Sequence, residues 1–140
     1  RWSFNGLAWP LADRLAGPLA RPVLVGLGAL ATVVVLIVGR GRPWVVWLGV
    51  GTTFIALSPT VHPWYGLWLL VPGLALGWWP AAVIGVALIG AYGVLSGYDA
   101  PTGTWSEPSW LWAATWVPAL LAVGAWAGLR IARWRASARV

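Results

Sequence analysis

From Pro43 to Tyr98 this chain runs for 56 consecutive residues without an Asp, Glu, Lys or Arg. A run of that length cannot lie on a water-soluble domain, where about a quarter of the residues are charged. Two more stretches, 22–39 and 108–129, are also free of formal charge. Eighteen apolar residues wound as a helix reach about 27 Å, close to the thickness of a bilayer's hydrocarbon core. With 60% of its 140 residues hydrophobic and only 9% charged, the chain lacks the polar surface to wrap such segments in water. The sequence therefore predicts an all-α, polytopic transmembrane helix bundle.

Prolines, glycines and arginines divide the chain. Residues 1–21 are too poor in apolar residues to span. Leu7, Leu11, Leu15 and Leu19 fall four apart on one helical face, with Asp13 and Arg14 pointing away and Pro10 and Pro18 interrupting. This segment reads as amphipathic and interfacial. Residues 22–140 read as the transmembrane helical domain. Its first span is 22–39. The block 44–77 breaks at Ser58-Pro59-Thr60-Val61-His62-Pro63, giving two short or tilted spans, or else one re-entrant hairpin. A span at 81–96, a polar loop at 97–108 and a last span at 109–130 follow, making about five crossings in all. The chain has no Met and begins at Arg1; we expect it to be the carboxy-terminal part of a longer or processed protein.

The net charge of +6 comes from nine Arg and no Lys. Nucleic acid is a poor explanation, because Arg21, Arg40, Arg42, Arg130, Arg133, Arg135 and Arg139 all edge apolar runs. That is where interfacial anchors and topology signals sit. With a cytoplasmic carboxy terminus, five spans put Arg40 and Arg42 on the same side, and put His62, Asp99 and Glu107 outside. Arg14 and Arg21 fall on the wrong side of this assignment, which an interfacial segment tolerates by snorkelling. Of the 14 Trp, many lie at expected span ends (Trp44, Trp64, Trp78, Trp79, Trp105, Trp110, Trp134), as an aromatic belt requires. Gly73/Gly77 and Gly124/Gly128 match the small-residue spacing that lets membrane helices approach closely.

Little of the chain can carry chemistry. Zero Cys removes thiolate catalysis and Cys-based metal sites. A single His without nearby carboxylates supplies too few ligands for zinc, so no metal is expected. Ser58 lies four residues before His62, but no carboxylate is near in sequence to complete a serine triad. The one strong candidate is the turn Ser58 to Tyr65, the only break in the long uncharged run. Proline on both sides of His62 restricts the backbone, so the turn can aim an imidazole at a phosphate or hydroxyl. Polar groups at membrane depth are costly and point to a site. The plainer reading is a proline-ended loop whose His meets lipid headgroups. Asp99 and Glu107 share one outer loop and could act as acid and base if their environments differed; two solvated loop acids are the simpler account.

The run Leu57-Ser58-Pro59-Thr60-Val61-His62-Pro63-Trp64-Tyr65, continuing through Leu67-Trp68-Leu69-Leu70-Val71-Pro72, resembles a segment in the carboxy-terminal membrane half of bacterial GT-C glycosyltransferases, of the polyprenyl-phosphate-mannose-dependent kind. The opening Arg1-Trp2-Ser3-Phe4-Asn5-Gly6 resembles the stretch before the late membrane helices of such enzymes. The resemblance implies transfer of a sugar, mannose in that family, from a polyprenyl-phosphate donor to a glycan or glycolipid acceptor. The reaction would take place outside the bacterial cytoplasmic membrane, with no cofactor. It implies substrate binding by His62, Trp64 and Tyr65, with Ser58 beside them. The family's catalytic Asp sits in an early outer loop that has no counterpart here, so the base is expected outside this chain. The alternative is a non-catalytic polytopic membrane scaffold or subunit. A transporter would carry more polar groups within its spans.

Overall fold

The computed structural model describes residues 4–138, with the backbone alone at position 105. Arg1, Trp2 and Ser3 of the opening motif, Arg139 of the basic tail and the Trp105 ring lie outside that description. Six helices carry the chain: α1 (Trp9–Ala16), α2 (Ala20–Val38), α3 (Pro43–Leu57), α4 (Gly66–Ala75), α5 (Pro80–Ile89) and α6 (Leu111–Ser137). The only sheet among the described residues is a two-residue ladder, β1 (Tyr98–Asp99) against β2 (Thr104–Trp105), antiparallel in the 97–108 loop. The all-helical expectation holds.

Among the described residues, three helical segments are long and apolar enough to cross a bilayer: Trp9–Val38, Pro80–Gly97 and Leu111–Ser137. The second is α5 prolonged by a 3-10 stretch, Gly90–Gly97. Gly90, Gly93 and Gly97 weaken the α-helix there, and the longer rise of the tighter-wound 3-10 helix, about 2 Å per residue, lengthens the segment to about 31 Å. At 15 residues α3 is about 22 Å long and α4, with 10, is shorter still. The last helix runs past the expected end near 130 to Ser137. Arg and Ala are good helix formers and no Gly or Pro follows Gly128, so nothing stops it.

Glycine contacts fix the direction of each pair. Gly28 of α2 faces Leu57 of α3 and Gly49 of α3 faces Val35 of α2, so these helices run antiparallel. Gly66 meets Gly85 and Gly73 meets Ala81, making α4 and α5 antiparallel; Gly93 meets Trp110 and Leu111, turning α6 back along α5. Between these helices the backbones come nearest at Gly66 on Gly85, where a Cβ would stand 3.0 Å from the facing Cα. The spacing argument singled out different glycines. Gly77 ends a helix at φ +64°, and Gly124 and Gly128 have nothing within 4 Å of a would-be Cβ. Only Gly73 of those four packs closely, against Ala81.

The core, Ile55, Val61, Leu69, Ala81, Ile84, Leu88, Trp116 and Ala119, lies where α3 to α6 meet. Outside it the helices are apolar and bare. Only Ala20 and Leu24 of α2 are buried, while Leu30, Val33, Val34 and Ile37 are all at least half exposed. Water would penalise that surface and lipid does not. The chain thus has the helices of a membrane protein. Between α1 and α2, Gly17 at φ +51° and a 3-10 turn bend the path. Trp9 and Arg21 line one cleft, so α1 is not stacked end-on beneath α2. Leu11, Leu15 and Leu19 are more than 60% exposed and face outward, while Leu7, ahead of the helix, packs against the core instead of joining that stripe.

Candidate functional site

The turn 58–65 is built by its prolines and one serine. The Ser58 Oγ donates to the Thr60 carbonyl (2.6 Å) and accepts from the Thr60 N–H (3.3 Å), closing a local loop. That hydroxyl is therefore occupied with the turn's own backbone. Pro63–Tyr65 forms one 3-10 turn, with the Tyr65 N–H donating to the His62 carbonyl (3.1 Å), and leads directly into α4. His62 is thereby set just ahead of a helix.

Three aromatic rings pack against the partly exposed imidazole. It stacks on Trp64 at 4.3 Å and 8°, and takes Phe4 and Tyr65 edge-on at 5.2 and 5.3 Å. Tyr65 in turn stacks on Trp68 (4.7 Å) and meets Phe54 of α3 (5.5 Å). The structure thus brings His62, Trp64 and Tyr65 into one cluster, with Ser58 in the same loop but turned to a structural task. Loss of hydration in this setting lowers the His62 pKa below its ordinary 6.5, so the ring is neutral at pH 7. A neutral imidazole donates one hydrogen bond and accepts another.

The unfolded chain binds the His62 proton more readily than the folded one. Stability is therefore full above pH 6.5 and falls as pH drops below it. His62 is the only histidine in the chain. Melting of the detergent-solubilised chain is expected to show an acid-side loss beginning near pH 6.5. His62→Phe should remove that limb, and an unchanged limb would exclude His62 as its source.

What holds the cluster is a strap that sequence reasoning missed. Residues 4–6 thread between the 58–62 turn and the start of α6. The Val61 N–H donates to the Phe4 carbonyl (3.2 Å) and the Ala8 N–H to the Ala56 carbonyl (3.1 Å). On the other side the Asn5 N–H donates to Glu107 Oε1 (2.8 Å). The indole N–H groups of Trp116 and Trp112 donate to the carbonyls of Asn5 (3.0 Å) and Gly6 (3.1 Å). Asn5 sits at φ +53°, a conformation Asn tolerates better than most residues. Glu107 therefore anchors the strap, while Asp99 accepts from the Thr102 hydroxyl (2.6 Å) within the hairpin. The two loop acids have separate tasks and no bond joins them. A positive φ and long-range indole bonds leave no trace in local spacing.

Among the described residues, no three His, Cys, Asp or Glu side chains gather as a metal site would require. Comparison with protein-family models, curated proteins and solved structures returned no match.

Proposed function

We propose that this chain is the carboxy-terminal membrane part of a GT-C-type glycosyltransferase. It would move a sugar, mannose by the resemblance, from a polyprenyl-phosphate donor to a glycan or glycolipid acceptor outside the bacterial cytoplasmic membrane. The observation that carries this reading is the packing of Trp64, Tyr65 and Phe4 against His62 at the head of α4. An N–H donor held in place by its ring contacts stabilises a departing phosphate without reorganising. The exposed Trp64 face offers a platform beside it. Deprotonating the acceptor hydroxyl needs a base, which this reading assigns to a part of the enzyme beyond this chain.

The helix directions support the five-crossing reading. With the Arg130 end cytoplasmic, Arg40 and Arg42 lie with it, and the 58–62 turn and the Glu107 loop share the opposite end, joined by the strap. Helices as short as α3 and α4 cross a thinned bilayer or one covered by neighbours. α1, with its leucines outward, lies at the outer interface.

The test is sugar transfer by the product of the whole reading frame containing this chain, reconstituted in liposomes with polyprenyl-phosphate-mannose. His62→Ala is expected to lower transfer about tenfold to a hundredfold, the cost of one hydrogen bond to a charged group. Trp110→Ala, 53% exposed and outside the cluster, serves as the matched control. Equal transfer by the folded His62→Ala protein would remove the role of His62. No transfer by the wild type would favour the non-catalytic scaffold.

A further inference from the structure

The topology above leaves Arg21 on the side where the positive-inside bias disfavours Arg. The fold gives it a neighbourhood. A groove of about 280 Å³ runs between α2 and α3, lined by Arg21, Leu24, Gly28 and Thr32 on one side and Thr53 and Phe54 on the other. Residues 21, 24, 28 and 32 recur on one face of α2. Gly28 leaves the floor bare: a Cβ there would meet only the Leu57 Cδ1, at 3.7 Å. Among the described residues Arg21 has no ion-pair partner, and no Asp or Glu lines the groove.

We propose that this groove binds an anionic glycerophospholipid of the outer leaflet, with its phosphate on Arg21 and one acyl chain along Gly28 and Thr32. Charge complementarity supplies the head: an exposed guanidinium without a protein counter-ion matches an anionic headgroup at the interface. Length supplies the tail. From Arg21 to Thr32 the helix rises about 16 Å, which is half of a hydrocarbon core of about 30 Å, so the groove is one leaflet deep. The chain of a polyprenyl phosphate is longer than one leaflet and gains nothing from that match. The groove shares Phe54 with the aromatic network and ends at Ser58 and Pro59 of the His62 turn, but His62, Trp64 and Tyr65 do not line it, and the proposal stands whether or not sugar transfer is observed.

The test is native mass spectrometry of the full chain released from detergent micelles, titrated with phosphatidylglycerol and with phosphatidylcholine of the same acyl length. The wild type should retain phosphatidylglycerol about fivefold more tightly, as one basic residue near a headgroup provides. Arg21→Gln should abolish that preference, and Arg14→Gln should keep it. Gly28→Leu, which fills the groove without touching the charge, should lower retention of both lipids. A phosphatidylglycerol preference surviving in Arg21→Gln, or unchanged retention in Gly28→Leu, would overturn the proposal. So would displacement of phosphatidylglycerol by equimolar undecaprenyl phosphate in the wild type but not in Arg21→Gln; the groove would then belong to a polyprenyl lipid.

Discussion

Gly6→Val is expected to cost about 3 kcal/mol of stability and to release the strap that holds the candidate site. A Cβ at position 6 would stand 2.7 Å from the Ser58 carbonyl oxygen and 3.0 Å from that of Pro59, and these are backbone atoms that cannot swing aside. The strap must then lift. It would lose the Trp112 bond to the Gly6 carbonyl, and the neighbouring Trp116 bond to Asn5 would be strained. Phe4 would move with it, and His62 would lose one of its three aromatic neighbours. Equilibrium unfolding in mixed micelles measures the cost. A change within about 0.5 kcal/mol, the range of an ordinary surface substitution, would mean the strap is not held as described.

The second large effect is expected at the α4–α5 crossing. Gly66→Leu puts a branched side chain where a single Cβ already stands 3.0 Å from the Gly85 Cα and 3.3 Å from its carbonyl oxygen. The helices must separate, and in lipid there is no hydrophobic force to re-close them, because their association rests on van der Waals contact. We expect a loss of about 2–4 kcal/mol or outright failure to fold. Gly66 directly follows Tyr65, so the site would be displaced as well. Gly124→Leu has open space around it and should stay within about 0.5 kcal/mol. Similar costs for the two variants would show that the small-residue spacing, and not the crossing, governs packing.

That contrast shows what was readable in the sequence and what was not. Charge-free length settled the class, because 56 residues without a formal charge admit few environments. Pro43 and Pro80, expected in turns, open α3 and α5, and Pro63 opens the 3-10 turn, since a fixed φ suits a helix's first turn. The Ser58 to Tyr65 turn could be singled out as the one polar interruption, and its aromatic residues do gather about the imidazole. Gly77, Gly124 and Gly128 misled, because spacing reports which glycines share a face and not which face meets another helix. Helix α6 runs on past the 109–130 span because arginines mark the membrane boundary and not the helix boundary. The strap was out of reach: Asn5 bonds with Glu107 and Trp116, 102 and 111 positions away, and no local pattern announces such a partner.

The most direct measurement is binding of a radiolabelled polyprenyl-phosphate-mannose to this chain in lipid nanodiscs, with and without His62→Ala. Binding does not depend on a catalytic base, so it isolates the His62 cluster from the rest of the reaction. The account predicts saturable binding, displaced by unlabelled donor and weakened about tenfold or more in His62→Ala. Binding of equal strength in wild type and His62→Ala, or none above empty nanodiscs, would contradict it.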